Sequence, residues 1–77
     1  MNLQRMILEA LVAEGRPEAM VNAARVAGTE ASYEQVFALV MDMENQNLIK
    51  LVYCQFPAVI NVQLTLVGKK AAHQLLS

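Results

Sequence analysis

The side chains of this 77-residue chain that could carry covalent or acid–base chemistry are few and badly spaced for it. His73 is the only histidine and Cys54 the only cysteine, so neither a zinc-binding set nor a Cys/His pair can be assembled. Asp42 and Glu44 are two residues apart, and on a helix their carboxylates would point in different directions. The three glycines form no phosphate-binding loop. We expect His73 at the surface, Cys54 packed as a small apolar residue, and no enzyme activity, metal or cofactor.

The basic residues that could contact an anion are concentrated late in the chain. Residues 1–48 hold three arginines and seven acidic residues, whereas residues 49–77 hold three lysines and no acid. An anion such as DNA should therefore favour the C-terminal part. The candidate DNA contacts are Arg25, Lys50, Lys69 and Lys70, with Gln35 and Gln46 as possible readers of base edges. The alternative is that the four cations form only a solvated rim.

The composition is too apolar for an average domain of this size. Hydrophobic residues make up 56% of the chain and charged residues 17%, with a formal net charge of −1. These values exclude a disordered chain, and the single cysteine excludes an internal disulfide. The longest apolar run, residues 36–41, is too short to span a membrane, and Glu9 and Glu14 interrupt any signal peptide. We expect one cytoplasmic domain over residues 1–77, with apolar surface left for a partner.

Three segments repeat their apolar residues with helical spacing. The first runs from Asn2, a capping residue, to about Glu14, and Gly15 ends it. The second begins at Pro17 and ends at Gly28. Its apolar stripe consists of Ala19, Met20, Ala23, Ala24 and Ala27. The third begins at Ser32, where Ser32-x-x-Gln35 fits a capping box. Its buried stripe consists of Val36, Leu39, Val40 and Met43.

The period of the pattern changes from 3.6 to 2 after Asn47, a residue that tolerates the left-handed conformation. Residues 50–56 are rich in strand formers, Pro57-Ala58 breaks the run, and residues 59–66 alternate. The apolar face of the second run consists of Ile60, Val62, Leu64 and Leu66. These segments predict a β-hairpin, followed by a short helix from Gly68 to Leu76.

Two local patterns resemble a known family. They are Ser32-x-x-x-Val36-x-x-Leu39-x-x-x-Met43-x-x-x-Asn47-Leu48-Ile49 and Val62-x-Leu64-Thr65-x-x-Gly68-Lys69. Both resemble winged helix-turn-helix transcription regulators of the multiple-antibiotic-resistance (MarR-like) type, with Asn47 in place of the family's glycine. The resemblance implies an α+β winged helix-turn-helix fold with three helices, a β-hairpin wing and a short C-terminal helix. It also implies that Thr65 caps the last helix and that Gly68 permits close packing there.

The third helix and the hairpin tip depart from what DNA binding requires. Residues 32–46 contain no Lys or Arg, and the acidic residues Glu34, Asp42 and Glu44 would repel phosphates. The tip, residues 56–60, carries no charge. Apolar side chains on such surfaces suit a protein groove better than a polyanion.

We therefore expect a regulatory module that acts mainly through protein–protein contacts, with a second copy of itself or another protein as partner. The interaction residues would be Phe37, Met41, Phe56, Pro57 and Val59. A homodimer is one outcome, and the small size would suit a phage or mobile-element regulator. Two alternatives stay open. Phe37 and Met41 could be ordinary core residues, and the chain could be a DNA-binding transcriptional regulator.

Overall fold

The computed structural model describes residues 2–16 and 18–76. Within them the chain is α+β, with four helices and a three-stranded antiparallel sheet, which confirms the predicted class. The elements are α1 (Leu3–Glu14), β1 (Met20–Asn22), α2 (Ala23–Ala27), α3 (Tyr33–Asn45), β2 (Ile49–Gln55), β3 (Val59–Leu64) and α4 (Leu66–Leu76).

The ends of α1 and α3 are set by the residues predicted from the sequence. The Asn2 side chain accepts a hydrogen bond from the Arg5 N–H, and Gly15 ends α1 in the left-handed conformation. Ser32 and Gln35 form both bonds of the capping box at the start of α3. Asn47 follows α3 with a φ of 62°, as expected of a left-handed residue. These local signals need only neighbouring residues, which is why the sequence reveals them.

The predicted second helix is wrong over its first part. Met20 to Asn22 form β1, which pairs antiparallel with β3 in the register Met20↔Gln63. Met20, assigned to a buried helical stripe, is 50% exposed. The pairing with β3 gives this backbone its hydrogen-bond partners, and that outweighs the helical preference of the neighbouring alanines. Of the predicted second helix, only the part that forms α2 is helical. The predicted start at Pro17 lies outside the described residues.

The sheet has the order β1-β3-β2, so β3 is central and β2 forms an edge. Ile60 and Val62 of β3 are fully buried, as the alternation predicted. Leu66, assigned to the same face, is 82% exposed, because the strand ends at Leu64 and Leu66 is the first residue of α4. The edge strand β2 carries an irregularity between Leu51 and Tyr53, where Val52 has no partner on β3.

The core lies between α1, α3 and the inner face of the sheet. Its largest fully buried side chains are Ile7, Leu8, Val36, Val40, Met43, Ile49, Ile60 and Val62. Leu39, predicted to be buried with them, is half-buried and packs at the margin of the core. The predicted stripe of α3 is thus confirmed for three of its four members.

Close backbone packing joins the end of β3 to the start of α4. The Thr65 hydroxyl accepts a hydrogen bond from the Gly68 N–H at 2.9 Å, and it contacts the Asn47 and Leu48 carbonyls on its other side. A Cβ atom on Gly68 would lie 1.8 Å from the Leu48 carbonyl oxygen. The expectation that Thr65 caps the last helix and that Gly68 permits close packing is confirmed.

Candidate protein-interaction surface

Three aromatic rings connect the first turns of α3 to the tip of the β2–β3 hairpin. The Tyr33 ring stacks on Phe37, with centroids 6.3 Å apart, and forms a T-shaped pair with Phe56, with centroids 5.2 Å apart. The Tyr33 hydroxyl donates a hydrogen bond to the Val59 carbonyl at 3.1 Å. We call Tyr33, Phe37 and Phe56 the aromatic cluster. Together with the hydrogen bond to Val59, the aromatic cluster brings together three of the five residues predicted for protein contact, namely Phe37, Phe56 and Val59.

The members of the aromatic cluster differ in exposure. Phe56 is 66% exposed, whereas Tyr33 and Phe37 are half-buried. Phe37 packs against the core and is also partly exposed. It therefore combines the two predicted roles, core residue and surface residue. Pro57 is exposed beside Phe56, and Met41 is half-buried one helical turn beyond Phe37. The outermost apolar group of this region is therefore Phe56.

The hairpin tip is tied to the rest of the fold by Asn22. Its Oδ1 accepts hydrogen bonds from the Ala24 and Ile60 N–H groups at 3.1 and 3.0 Å. Its Nδ2 donates to the Ala58 carbonyl at 2.9 Å. One side chain thus caps α2 and holds the tip, so that Phe56 projects from a fixed support.

The edge strand β2 extends the exposed surface beside the cluster. Val52, Tyr53 and Cys54 are all exposed. The expectation that Cys54 is packed away is wrong, because nothing among the described residues covers this part of the edge strand. Closer to α3, the Glu44 carboxylate accepts a hydrogen bond from the Leu51 N–H at 2.9 Å. That contact occupies one backbone donor of an otherwise open edge.

Tyr33 has a perturbed phenol. Removal of the ring from water raises the pKa of Tyr33, and electrostatic and hydrogen-bond interactions with the neighbouring Cys54 and the charge of the Glu34 carboxylate add to the rise. No role for Tyr33 was predicted from the sequence. The signal for Tyr33 was present, since Tyr33, Phe37 and Met41 recur at intervals of four residues along one side of α3.

The outer side of α3 is acidic, and its two candidate base-reading glutamines are engaged near the helix ends. Gln35 Oε1 accepts from the Ser32 N–H, and Gln46 Nε2 donates to the Asp42 carboxylate at 2.9 Å. Glu34 and Asp42 are exposed, and α3 has no Lys or Arg along its length. This electrostatic character would repel a phosphate backbone.

The candidate anion contacts lie on three different elements. Arg25 of α2 lines a depression of about 440 Å³ together with Tyr33 and Pro57. Lys69 of α4 lines a separate groove that also contains Arg16, a residue the sequence analysis did not single out. Lys50 is exposed on β2, opposite Gln63, and Lys70 is exposed on α4. Arg25 and Lys69 thus belong to separate depressions.

His73 is exposed on α4, as expected. Across residues 2–16 and 18–76, no three His, Cys, Asp or Glu side chains come together in a way that could hold a metal ion. In the same part of the chain, no helix has the length and apolar character needed to cross a membrane. Comparison of the chain with protein-family models, curated proteins and solved structures gives no match.

Proposed function

We propose that this chain is a small winged-helix module without enzyme activity that regulates by binding another protein. In this proposal α2 and α3 form the helix-turn-helix, and the β2–β3 hairpin is the wing. The contact surface consists of the aromatic cluster with Met41, Pro57 and Val59. The observation that carries the proposal is the 66% exposure of Phe56 on a tip that Asn22 and Tyr33 hold in place.

An aromatic side chain in this position has the properties of a binding anchor. Aromatic residues dominate the energetics of protein interfaces because they bury a large area with few rotatable bonds. Phe56 already packs against Tyr33 in a T-shaped pair, so little conformational freedom would be lost on binding. The exposed Val52 and Tyr53 would add apolar contact beside this anchor.

The charge of α3 also favours a protein partner over DNA. In a DNA-binding winged helix this is the helix that enters the major groove. Here its exposed charges are carboxylates, which a protein partner can pair with Lys or Arg and which DNA cannot. DNA binding is a second candidate because Lys50, Lys69 and Lys70 are all exposed in the C-terminal part.

The test of the main proposal compares the wild type with Phe56→Ser and with Val67→Ser. Val67 is an exposed apolar residue on α4, an element that contains no member of the aromatic cluster, and it serves as the matched control. Proteins captured from an extract of the source cells would be identified for all three baits after circular dichroism shows that each is folded. We expect Phe56→Ser to lose partners that Val67→Ser retains. Identical captured sets for the three baits would overturn the proposal.

The DNA candidate is tested by titration with duplex DNA at low salt and again near physiological salt. Phosphate contacts make affinity fall steeply as salt rises, and non-specific binders reach dissociation constants of about 10⁻⁴–10⁻⁶ M. Lys69→Glu together with Lys70→Glu should abolish such binding. Absence of binding at low salt would remove the DNA candidate and leave the protein-binding proposal untouched.

A further inference from the structure

A second apolar surface lies between α1 and α4, away from the hairpin tip. This α1/α4 groove has a volume of about 430 Å³. Its apolar lining is Leu11, Val12, Leu64 and Leu66. A smaller depression of about 130 Å³ continues it and shares Val12 and His73. The groove thus follows α4 from Leu66 to Leu76, a distance of about 15 Å at the helical rise.

The α1/α4 groove combines exposed apolar side chains with positive charge. Leu66 is 82% exposed and Val12 is 43% exposed, which leaves a substantial apolar area open to water. The ionisable residues of its lining are Arg16, Lys69 and His73, and no acidic side chain is among the described lining residues. The chemistry of this groove therefore suits an elongated occupant that is partly apolar and negatively charged.

The outer face of α3 has the complementary chemistry. At 100° per residue, one side of the helix consists of Glu34, Ala38, Met41, Asp42 and Asn45. This side has two carboxylates around two small or flexible apolar groups and carries no positive charge. The 13 residues of α3 span about 20 Å, enough to lie along the whole groove.

We propose that the α1/α4 groove is the docking site for the outer face of α3 from a second copy of this chain. The inference rests on the proposed function, in which α3 and the hairpin tip form the contact surface, and it names the partner. Because the two surfaces differ, the copies associate head to tail, and an open assembly keeps one free groove at one end and one free α3 at the other unless a ring closes. Pairing of two grooves is disfavoured, since it would place Arg16 and Lys69 against their own counterparts.

Self-association would limit DNA binding, the second candidate function. In the assembly each docked α3 is covered and could not enter a DNA groove, whereas in the monomer α3 is free. Interfaces of limited area are transient, so assembly should depend on protein concentration. It should also weaken with salt, because exposed charge pairs are screened within about 3 Å at 1 M ionic strength.

The experiment measures molecular mass by sedimentation equilibrium over a wide concentration range, against a monomer mass of 8.5 kDa. In one variant, Arg16→Glu with Lys69→Glu makes the groove acidic. In the other, Glu34→Lys with Asp42→Lys makes α3 basic. Each variant alone should associate at least about tenfold more weakly than the wild type, because like charges then face each other.

An equimolar mixture of the two variants is the decisive sample. In the mixture the acidic groove of one variant faces the basic α3 of the other, and the unmodified surfaces also match. We expect the mixture to recover association to within about threefold of the wild type. Lys70→Glu is the matched control, since it changes the charge of the neighbouring residue outside the groove lining and should leave association within about twofold.

Two results would overturn the inference. One is a wild type that stays at the monomer mass at every concentration. The other is a mixture that associates no better than its separate variants. Either result leaves the proposed function to the Phe56→Ser capture experiment, which involves no residue of the groove. Conversely, Phe56→Ser could retain every captured partner while the mixture of variants recovers association. That pair of results would show self-association through α3 without a role for the aromatic cluster.

Discussion

The two ends of the sheet are built in opposite ways. Where β3 runs into α4, Gly68 approaches the Leu48 carbonyl so closely that no Cβ atom fits, and Thr65 bonds both sides of the junction. At the hairpin end, Phe56 and Tyr53 are exposed, and the tip is held by two side chains from other elements, Asn22 and Tyr33. The first end is held by direct backbone contact. The second is held by side-chain hydrogen bonds, which we call tethers because a single substitution can remove each of them.

This difference indicates how stability and the proposed binding surface are divided in the molecule. A backbone-to-backbone contact leaves no room for adjustment, so a change there disturbs the whole core. A tether can be removed singly, and the cost is limited to its own hydrogen bonds. Stability should therefore be concentrated at the β3–α4 junction, while the hairpin end is free to present apolar groups to a partner.

Gly68→Ala should have the largest effect. The added Cβ would lie 1.8 Å from the Leu48 oxygen and 2.9 Å from Leu64 Cδ1, so α4 would have to move away from the junction. We expect a loss of at least about 3 kcal/mol in the free energy of unfolding, at the upper end of overpacking costs. A chain of this length has only about 4–12 kcal/mol in total. Urea unfolding followed by circular dichroism measures the change.

Gly15→Ala is the control for Gly68→Ala. Gly15, unlike Gly68, adopts a left-handed conformation that favours glycine, with a φ of 71°, but a Cβ there would meet no atom within 4 Å. The cost should be that of the backbone conformation alone, about 1 kcal/mol. Equal losses for the two variants would show that the junction has no special rigidity.

The same contrast explains what could be predicted from the sequence. Asn2, Ser32 and Asn47 act on neighbouring residues, so their roles follow from spacing. The roles of Thr65 and Gly68 were instead implied by the family resemblance, since both contact Leu48, which lies much earlier in the chain. The pairing of Met20 with Gln63 joins residues far apart in the chain, and a three-residue strand leaves no periodic signal.

The hairpin end was predicted only in part for a similar reason. Its apolar tip residues were identifiable by their lack of charge. The support that Tyr33 and Asn22 give the tip depends on the tertiary fold, because each bonds to a residue more than 25 positions away. The exposure of Cys54 depends on the edge position of β2, which follows from strand order rather than from local pattern.

Asn22→Ala should have the next largest effect, because it removes the main tether of the hairpin tip. The variant loses the N-cap of α2 and two hydrogen bonds to the tip, at Ala58 and Ile60. We expect a loss of about 2 kcal/mol in the free energy of unfolding. Amide hydrogen exchange should show faster opening at Ile60 than at residues of the β3–α4 junction.

Asn2→Ala is the matched control, since Asn2 caps α1 and, among the described residues, makes no hydrogen bond to the hairpin. Its loss should be about 1 kcal/mol and should leave exchange at the tip unchanged. If the tip opened equally in both variants, Asn22 would not be its tether.

Tyr33→Phe should have a smaller effect, because it deletes one hydroxyl and keeps the ring contacts. The Val59 carbonyl loses its donor, and we expect a cost of about 1 kcal/mol in the free energy of unfolding. Tyr53→Phe deletes a hydroxyl that donates only to the exposed Gln55 side chain, so its cost should be below about 0.5 kcal/mol. Comparable costs for the two variants would remove Tyr33 from the support of the tip.

The pH dependence of stability at alkaline pH should give the smallest effect. Because the pKa of Tyr33 is raised in the folded chain, the folded state keeps this proton to higher pH than the unfolded state does. The contribution is present below the ordinary tyrosine pKa of about 10 and is lost as pH rises through the folded value. The wild type should therefore lose more free energy of unfolding over this range than Tyr33→Phe.

The cause of the shift can be separated by a second variant. Desolvation is the largest contribution to the raised pKa of Tyr33, and its interactions with the neighbouring Cys54 add to it. Cys54→Ser should therefore lower the pKa of Tyr33 only in part. The pH at which half of the phenolate absorbance appears should stay above the ordinary range for tyrosine. Complete reversal by Cys54→Ser would mean that the ring is as solvated as Phe56 beside it. The hairpin end would then have no packed support at all, and its contrast with the β3–α4 junction would be sharper than the structure indicates.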